Sequence, residues 1–339
     1  MDISPRPMEE RTGIDRAAFR DALIPSYRPM VLRGLVRDWP VVEAALNSDE
    51  AAAAYLAGFD RGAAVDAFVG PPEIQGRFFY RGDMGGFNFE RRRGPFGDVL
   101  RDILALSAQA SAPAVYIGSA PVPEVLPGFA ARNPMQLLDE ALAVPRIWIG
   151  NRSVVSTHFD LSDNIACVVA GRRRFTLFPP DQLPNLYVGP LDHTMAGQPA
   201  SMVELNAPDF ERFPRFREAL GAAVTAELEP GDAIYIPTLW WHQIEALSPF
   251  NILVNYWWED APPDRGSMFE AMMHAVFAAG TVPPERLDAW RLWFDHYVFR
   301  KDGDPAAHLP AAHRGVLGES TAPLRQRMRQ FLIRMLGGR

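Results

Sequence analysis

His158, Phe159 and Asp160 form a His-X-Asp string, and His242 ends the run Tyr235-Ile-Pro-Thr-Leu-Trp-Trp-His further along the chain. Two imidazoles and one carboxylate are the donor set that grips a non-haem Fe(II) on one side and leaves positions open on the other. In an extended strand, residues two apart point to the same face. His158 and Asp160 are therefore expected to reach one metal while Phe159 points into the opposite layer. The third ligand has to come from a strand brought alongside, and a closed or double-sheet β fold does that. His-X-Asp alone is a common string; paired with a distal histidine in an apolar, aromatic strand it becomes a specific pattern.

Other residues gain meaning beside such a metal. Arg173 opens the strand-like run 173–178, where alternation puts it on one face with Phe175 and Leu177. That face is inward by its content, and a buried guanidinium calls for a carboxylate, which it can bind bidentately. Asn164 and Asn255 are amides in apolar runs and need hydrogen-bond partners. The phenol of Tyr116 and the hydroxyls of Ser156 and Thr157 are further candidates. Singly, each has a structural explanation: an arginine at a hairpin turn, amides closing β-bulges, a core aromatic. Together they describe a pocket for an anionic, metal-chelating small molecule, and a 2-oxo dicarboxylate fits.

The elements that must position these groups follow from periodicity. Residues 15–28 and 43–58 have helix-like composition, and a strand between them begins at Pro29 and ends at Asp38-Trp-Pro. Residues 70–97 read as a long loop with short strands, with Arg91-Arg-Arg93 as a solvated part of it, and a short helix follows over 98–108. From about 113 short β-like runs separated by turns suggest a sandwich or barrel: 114–118, 146–150, 153–160, 164–170, 173–178, 224–228, 232–237, 240–246 and 250–258. Glu229-Pro-Gly-Asp carries Pro then Gly at the central positions of a type II turn. After Pro263 three apolar stripes at helical spacing follow, the last made of Leu324, Met328, Phe331, Leu332 and Met335. These helices are expected either to pack on the β core or to meet a partner.

The chain of 339 residues is long enough for a substantial core, with 48% apolar and 22% charged residues. A net charge of -7 disfavours nucleic acid as a partner. The single cysteine, Cys167, excludes an internal disulfide and fits a reducing, cytoplasmic setting, and its apolar flanks suggest a buried small side chain. No apolar run is long enough to span a membrane, and the N-terminal residues lack the apolar stretch of a secretory signal. His193, His274, His296, His308 and His313 have no ligand partner at a persuasive spacing.

The segment 158–187, with Gly171-Arg-Arg-Arg-Phe-Thr-Leu-Phe-Pro-Pro-Asp-Gln-Leu, and the segment Glu229-Pro-Gly-Asp-Ala-Ile-Tyr-Ile-Pro-Thr-Leu-Trp-Trp-His resemble the cupin-8 branch of the JmjC oxygenases. Asp209-Phe-Glu-Arg-Phe-Pro resembles the member of that branch that hydroxylates an asparagine of hypoxia-inducible factor. The match covers about 113–258, and 29–40 resembles the family's N-terminal strand. The resemblance implies a mainly β, double-stranded β-helix (cupin or jelly-roll) core over 113–262. An N-terminal α/β elaboration over 1–112 and a C-terminal helical region over 263–339 flank it. It also implies Fe(II) on His158, Asp160 and His242, with 2-oxoglutarate as cosubstrate and contacts from Tyr116, Asn164 and Asn255. The implied reaction is hydroxylation of a protein side chain or a small molecule, releasing succinate and carbon dioxide. A cupin enzyme that needs no 2-oxoglutarate, or a non-catalytic binding module, would share the triad. One departure is that Arg173 stands where the hydroxylase has a lysine for the distal carboxylate; Ser156 or Thr157 stands in for a threonine contact. Relatives of this kind dimerise through C-terminal helices, so a homodimer is expected.

Overall fold

The computed structural model describes residues 4–109, 111–139, 143–259, 261–262 and 264–337. The chain divides into two compact units, residues 1–259 and 260–339. In chain order the strands that frame the first unit begin with β1 (Met30–Arg33), β2 (Ala64–Gly70), β3 (Glu90–Pro95), β4 (Ala114–Pro121) and β5 (Pro145–Gly150). They continue with β6 (Ser153–His158), β7 (Asp163–Ala170), β8 (Arg173–Phe178) and β9 (Val224–Leu228). The last are β10 (Ala233–Ile236), β11 (Trp241–Ala246) and β12 (Asn251–Trp258).

Two sheets result. A six-stranded sheet runs in the order Arg6–Pro7, β9, β8, β11, β6, Arg77–Phe78. A nine-stranded sheet runs in the order Glu10–Thr12, β1, β10, β7, β12, β5, β4, β2, β3. From β6 onward the chain passes from one sheet to the other at most turns, the winding of a double-stranded β-helix. The turns are built for it. Gly171, between β7 and β8, has φ +72°, and a Cβ there would stand 2.4 Å from Asn251 Oδ1. Gly231 has φ +99°, as the third position of a type II turn demands.

Alternation along the nine-stranded sheet feeds two cores. Ile165, Cys167 and Val169 of β7, with Ile252, Val254 and Tyr256 of β12, pack under a helical layer. That layer is α1 (Pro40–Asn47), α2 (Asp49–Ala57) and α3 (Phe96–Ser107), contributing Val41, Leu56 and Phe96 among others. Ala166 and Val168 of β7, Leu253 of β12, and Phe175 and Leu177 of β8 fill the space between the sheets. Cys167 is fully buried in the first core, with its thiol pKa pushed up by burial, which suits the small apolar role read from its flanks.

Two expectations change. The stretch 64–95 contains the strands β2 and β3, so residues before 113 build part of the large sheet itself. Arg91, Arg92 and Arg93 lie on the edge strand β3, not in a loop; Arg92 pairs with Glu90 and Arg93 with Asp66. The second unit holds the three expected helices, α4 (Met268–Ala279), α5 (Pro284–Tyr297) and α6 (Ala322–Gly337). No helix among the described residues is long and apolar enough to cross a membrane.

Candidate metal centre

β6 and β11 are antiparallel neighbours, and their register sets His158 directly opposite His242. The two rings stand 4.4 Å apart between centroids. β6 ends at His158, two residues earlier than its pattern suggested, so Asp160 lies in the link to β7. Its backbone carbonyl accepts from the amide of Leu239 at 2.9 Å, which ties that link to the segment leading into β11. Phe159 turns the other way, edge-on to Trp241 at 4.8 Å. One donor atom each from His158, Asp160 and His242 falls within 4.8 Å of the others, the one such cluster among the described residues.

The imidazoles are presented in one orientation. His158 Nδ1 lies 2.9 Å from the Ser156 carbonyl and His242 Nδ1 lies 3.0 Å from the Trp240 carbonyl. A carbonyl only accepts, so each Nδ1 carries a proton and Nε2 is the nitrogen each ring has left to turn to a metal. Burial, and secondarily His158, push the pKa of His242 down to about 4 against the pull of Asp160. His242 is thus a neutral ligand at pH 7. The donor set, its tautomers and its burial all fit a divalent transition metal.

A line of side-chain hydrogen bonds fixes the carboxylate. Trp148 Nε1 donates to Asn255 Oδ1 at 2.8 Å, Asn255 Nδ2 to Asn164 Oδ1 at 3.3 Å, and Asn164 Nδ2 to Asp160 Oδ2 at 3.2 Å. Trp257 Nε1 donates to the same oxygen at 3.0 Å. The structure therefore brings Asn164 to the triad as a partner of its carboxylate, with Asn255 behind it as the partner of Asn164. Trp148 and Trp257 were not singled out from the sequence. Alternation along β12 was the available signal for Trp257, since it is two residues from Asn255.

Arg173 is buried on the inward face of β8, and its Nε has no hydrogen-bond partner. No carboxylate pairs with it among the described residues, and burial alone lowers its pKa to about 10, so it is still a cation at pH 7. Its neighbours differ: Arg172 and Arg174 are solvent-facing and pair with Glu227. Where β6 meets β11 the register slips, leaving Ser156 and Thr157 together opposite Gln243. Ser156 Oγ donates to the Phe78 carbonyl at 3.3 Å, while the buried Thr157 Oγ1 has no partner. Tyr116 stacks between Phe68, at 4.7 Å, and Trp148, at 6.4 Å, and burial raises the pKa of its phenol. It lines a cavity of about 570 Å³ that also reaches Asp160 and is edged by Arg91 and Arg146. Neither arginine was expected at the site.

Comparison with known proteins agrees with this geometry. The profile of the family described as Cupin-like domain (Cupin_8) matches residues 16–264. Lysine-specific demethylase JMJ31 of Arabidopsis thaliana is 32% identical over 129 residues, 38% of this chain and 23% of that protein. Human HSPB1-associated protein 1 is 32% identical over 148 residues, 42% of this chain and 30% of that protein. The tRNA wybutosine-synthesizing protein 5 of Gallus gallus is 32% identical over 108 residues, 32% of this chain and 31% of that protein. The matched region spans less than a third of the length of each of these relatives.

Proposed function

Because the chain belongs to the cupin-like (Cupin_8) family, we propose that it is an Fe(II)- and 2-oxoglutarate-dependent oxygenase that hydroxylates its substrate. The observation that carries this reading is the pairing of two groups in one sandwich. One is a two-histidine, one-carboxylate cluster with both Nε2 atoms left to turn to a metal; the other is a buried guanidinium without an anion. A metal cupin that needs no cosubstrate has no use for the second.

His158, Asp160 and His242 would hold the iron. Iron and 2-oxoglutarate together supply oxygen activation, the cosubstrate leaving as succinate and carbon dioxide. The chain's part is positioning. Asn164 and Trp257 hold Asp160 by one oxygen. Arg173 takes the distal carboxylate of the cosubstrate, and the protonated phenol of Tyr116 is a donor toward the same pocket. Asn255 acts through Asn164, and Thr157 offers the one hydroxyl of the Ser156–Thr157 pair still without a partner. The substrate is a protein side chain or a small molecule, and the working unit is a homodimer formed through the C-terminal helices.

The test is anaerobic reconstitution with Fe(II) and 2-oxoglutarate. A visible charge-transfer band is expected, lost in His158→Ala, Asp160→Ala and His242→Ala while each stays folded by circular dichroism. Succinate release in air separates the oxygenase from a cosubstrate-free cupin. Wild-type protein that binds neither iron nor a surrogate divalent metal ends the proposal.

A further inference from the structure

The cavity beside Asp160 has a composition of its own. Its walls include Phe68, Tyr116, Trp148 and Trp257, and its rim includes Arg91 and Arg146. Arg146 gives its Nη1 to the backbone and hydroxyl oxygens of Ser119, at 2.9 and 3.2 Å, and lies 5.7 Å from the centre of the Trp257 ring. Arg91 donates to the Met195 carbonyl at 2.8 Å and lies 5.0 Å from the centre of the Phe68 ring. Its charge is felt at the Tyr116 phenol, where it works against the effect of burial. Neither arginine forms an ion pair with a carboxylate among the described residues, although Arg92 and Arg93 beside Arg91 both do. Each is aimed by a neutral oxygen and an aromatic face, which leaves donors of the guanidinium fork over.

Charge balance says what those donors are for. In the loaded site the three positive charges of the dication and Arg173 would be balanced by the three negative charges of Asp160 and the dianionic cosubstrate. The two rim arginines are then left with no anion, in a protein whose net charge is -7. We propose that this cavity is the substrate site, and that it takes a small molecule with an apolar or aromatic body and a carboxylate or phosphate held by Arg91 and Arg146. The inference rests on the oxygenase reading of the metal centre and narrows its substrate class. A cavity of about 570 Å³ lies within the roughly 300–1,000 Å³ of sites that enclose small ligands. Aromatic walls hold the body, and the arginines fix which end faces Asp160.

Titration calorimetry on the full chain loaded with Mn(II) tests this, using benzoate and phenyl phosphate as acids and benzamide and benzylamine as their neutral and cationic counterparts. Each probe is titrated with and without 2-oxoglutarate. Wild type is expected to prefer at least one of the acids to benzamide by about tenfold or more, the scale of one charge-assisted contact; the better acid tells carboxylate from phosphate. Arg146→Met and Arg91→Met should each remove most of that preference and leave 2-oxoglutarate affinity within about twofold of wild type. Arg146→Lys keeps the charge without the fork and should recover part of it. Arg92→Met, whose partner is Glu90, should change nothing. No preference for either acid overturns the assignment, as does an equal loss in Arg92→Met. A fall in 2-oxoglutarate affinity at Arg91 or Arg146 matching that at Arg173 would hand the arginines to the cosubstrate and also overturn it. Failure of wild type to bind metal or 2-oxoglutarate at all ends the oxygenase reading instead, and the titrations without cosubstrate still judge the cavity.

Discussion

Arg173 is hard to account for without a ligand. Taking an ion out of water carries a penalty of several kcal/mol unless a partner offsets it, and none of the described carboxylates does so. Two consequences separate a ligand anchor from an ordinary charged residue. Arg173→Met should leave the unliganded protein as stable as wild type or more so, because an apolar chain replaces an unpaired cation. The same variant should weaken 2-oxoglutarate binding by about 2–5 kcal/mol, which titration calorimetry reads as roughly thirtyfold or more. Arg172→Met loses an exposed pair with Glu227, worth about 0–1 kcal/mol, and Arg174→Met loses pairs with Glu227 and Glu245; both should bind the cosubstrate normally. Equal losses at all three would mean a diffuse electrostatic effect and remove Arg173 from the pocket. At this scale the sequence was informative wherever alternation could be applied. Arg173 shares its face with Phe175 and Leu177, and the structure buries all three. What could not be read was which polar atoms meet across strands, such as Trp148 with Asn255, because register between distant strands is not written in either strand alone.

β12 shows how one element serves two layers. Asn255 and Trp257 project toward the metal centre, while Val254 and Tyr256 pack under the helices. Substitutions on its two faces should therefore separate. Asn255→Ala strands the Trp148 indole N–H and the Asn164 carbonyl, each a loss of about 1–3 kcal/mol when buried. It also loosens Asn164 on Asp160, and removing such an outer support typically lowers metal affinity about 10- to 100-fold. Val254→Ala should lower the melting temperature of the metal-free protein comparably through a lost apolar contact, yet leave Mn(II) affinity unchanged. If the two variants lose metal affinity equally, the hydrogen-bond line is only part of general stability. The strands that were legible, β1 and β4 to β12, are those whose apolar runs are bounded by turns. β3 was not, since Glu90-Arg-Arg-Arg-Gly-Pro has no apolar side chain and is a strand only by backbone pairing to β2. Charged edge strands of this sort protect a sheet from further pairing and carry almost no hydrophobic signal.

At the scale of the whole molecule, the second unit carries the unanswered apolar surface. Trp290 and Trp293 of α5 are 52% and 59% exposed, and Phe331 and Leu332 of α6 are 54% and 52% exposed. Leu324 at the start of the stripe read along α6 is 7% exposed, while Phe331, Leu332 and Met335 stay open. An exposed apolar stripe of this length marks a contact surface. A second copy presenting the same stripe answers it, and an isologous two-fold contact buries it on both sides at once. Because Leu324 already has protein around it, the test should spare it: Phe331→Arg with Leu332→Arg puts charge on the open part of the stripe only. Wild type is expected to sediment as a dimer at tens of micromolar, roughly the range in which a specific interface of standard size holds. The double variant should sediment as a soluble, folded monomer that still binds Mn(II) and 2-oxoglutarate through the first unit. A wild-type protein that remains monomeric at that concentration refutes the dimer and returns the stripe to another partner.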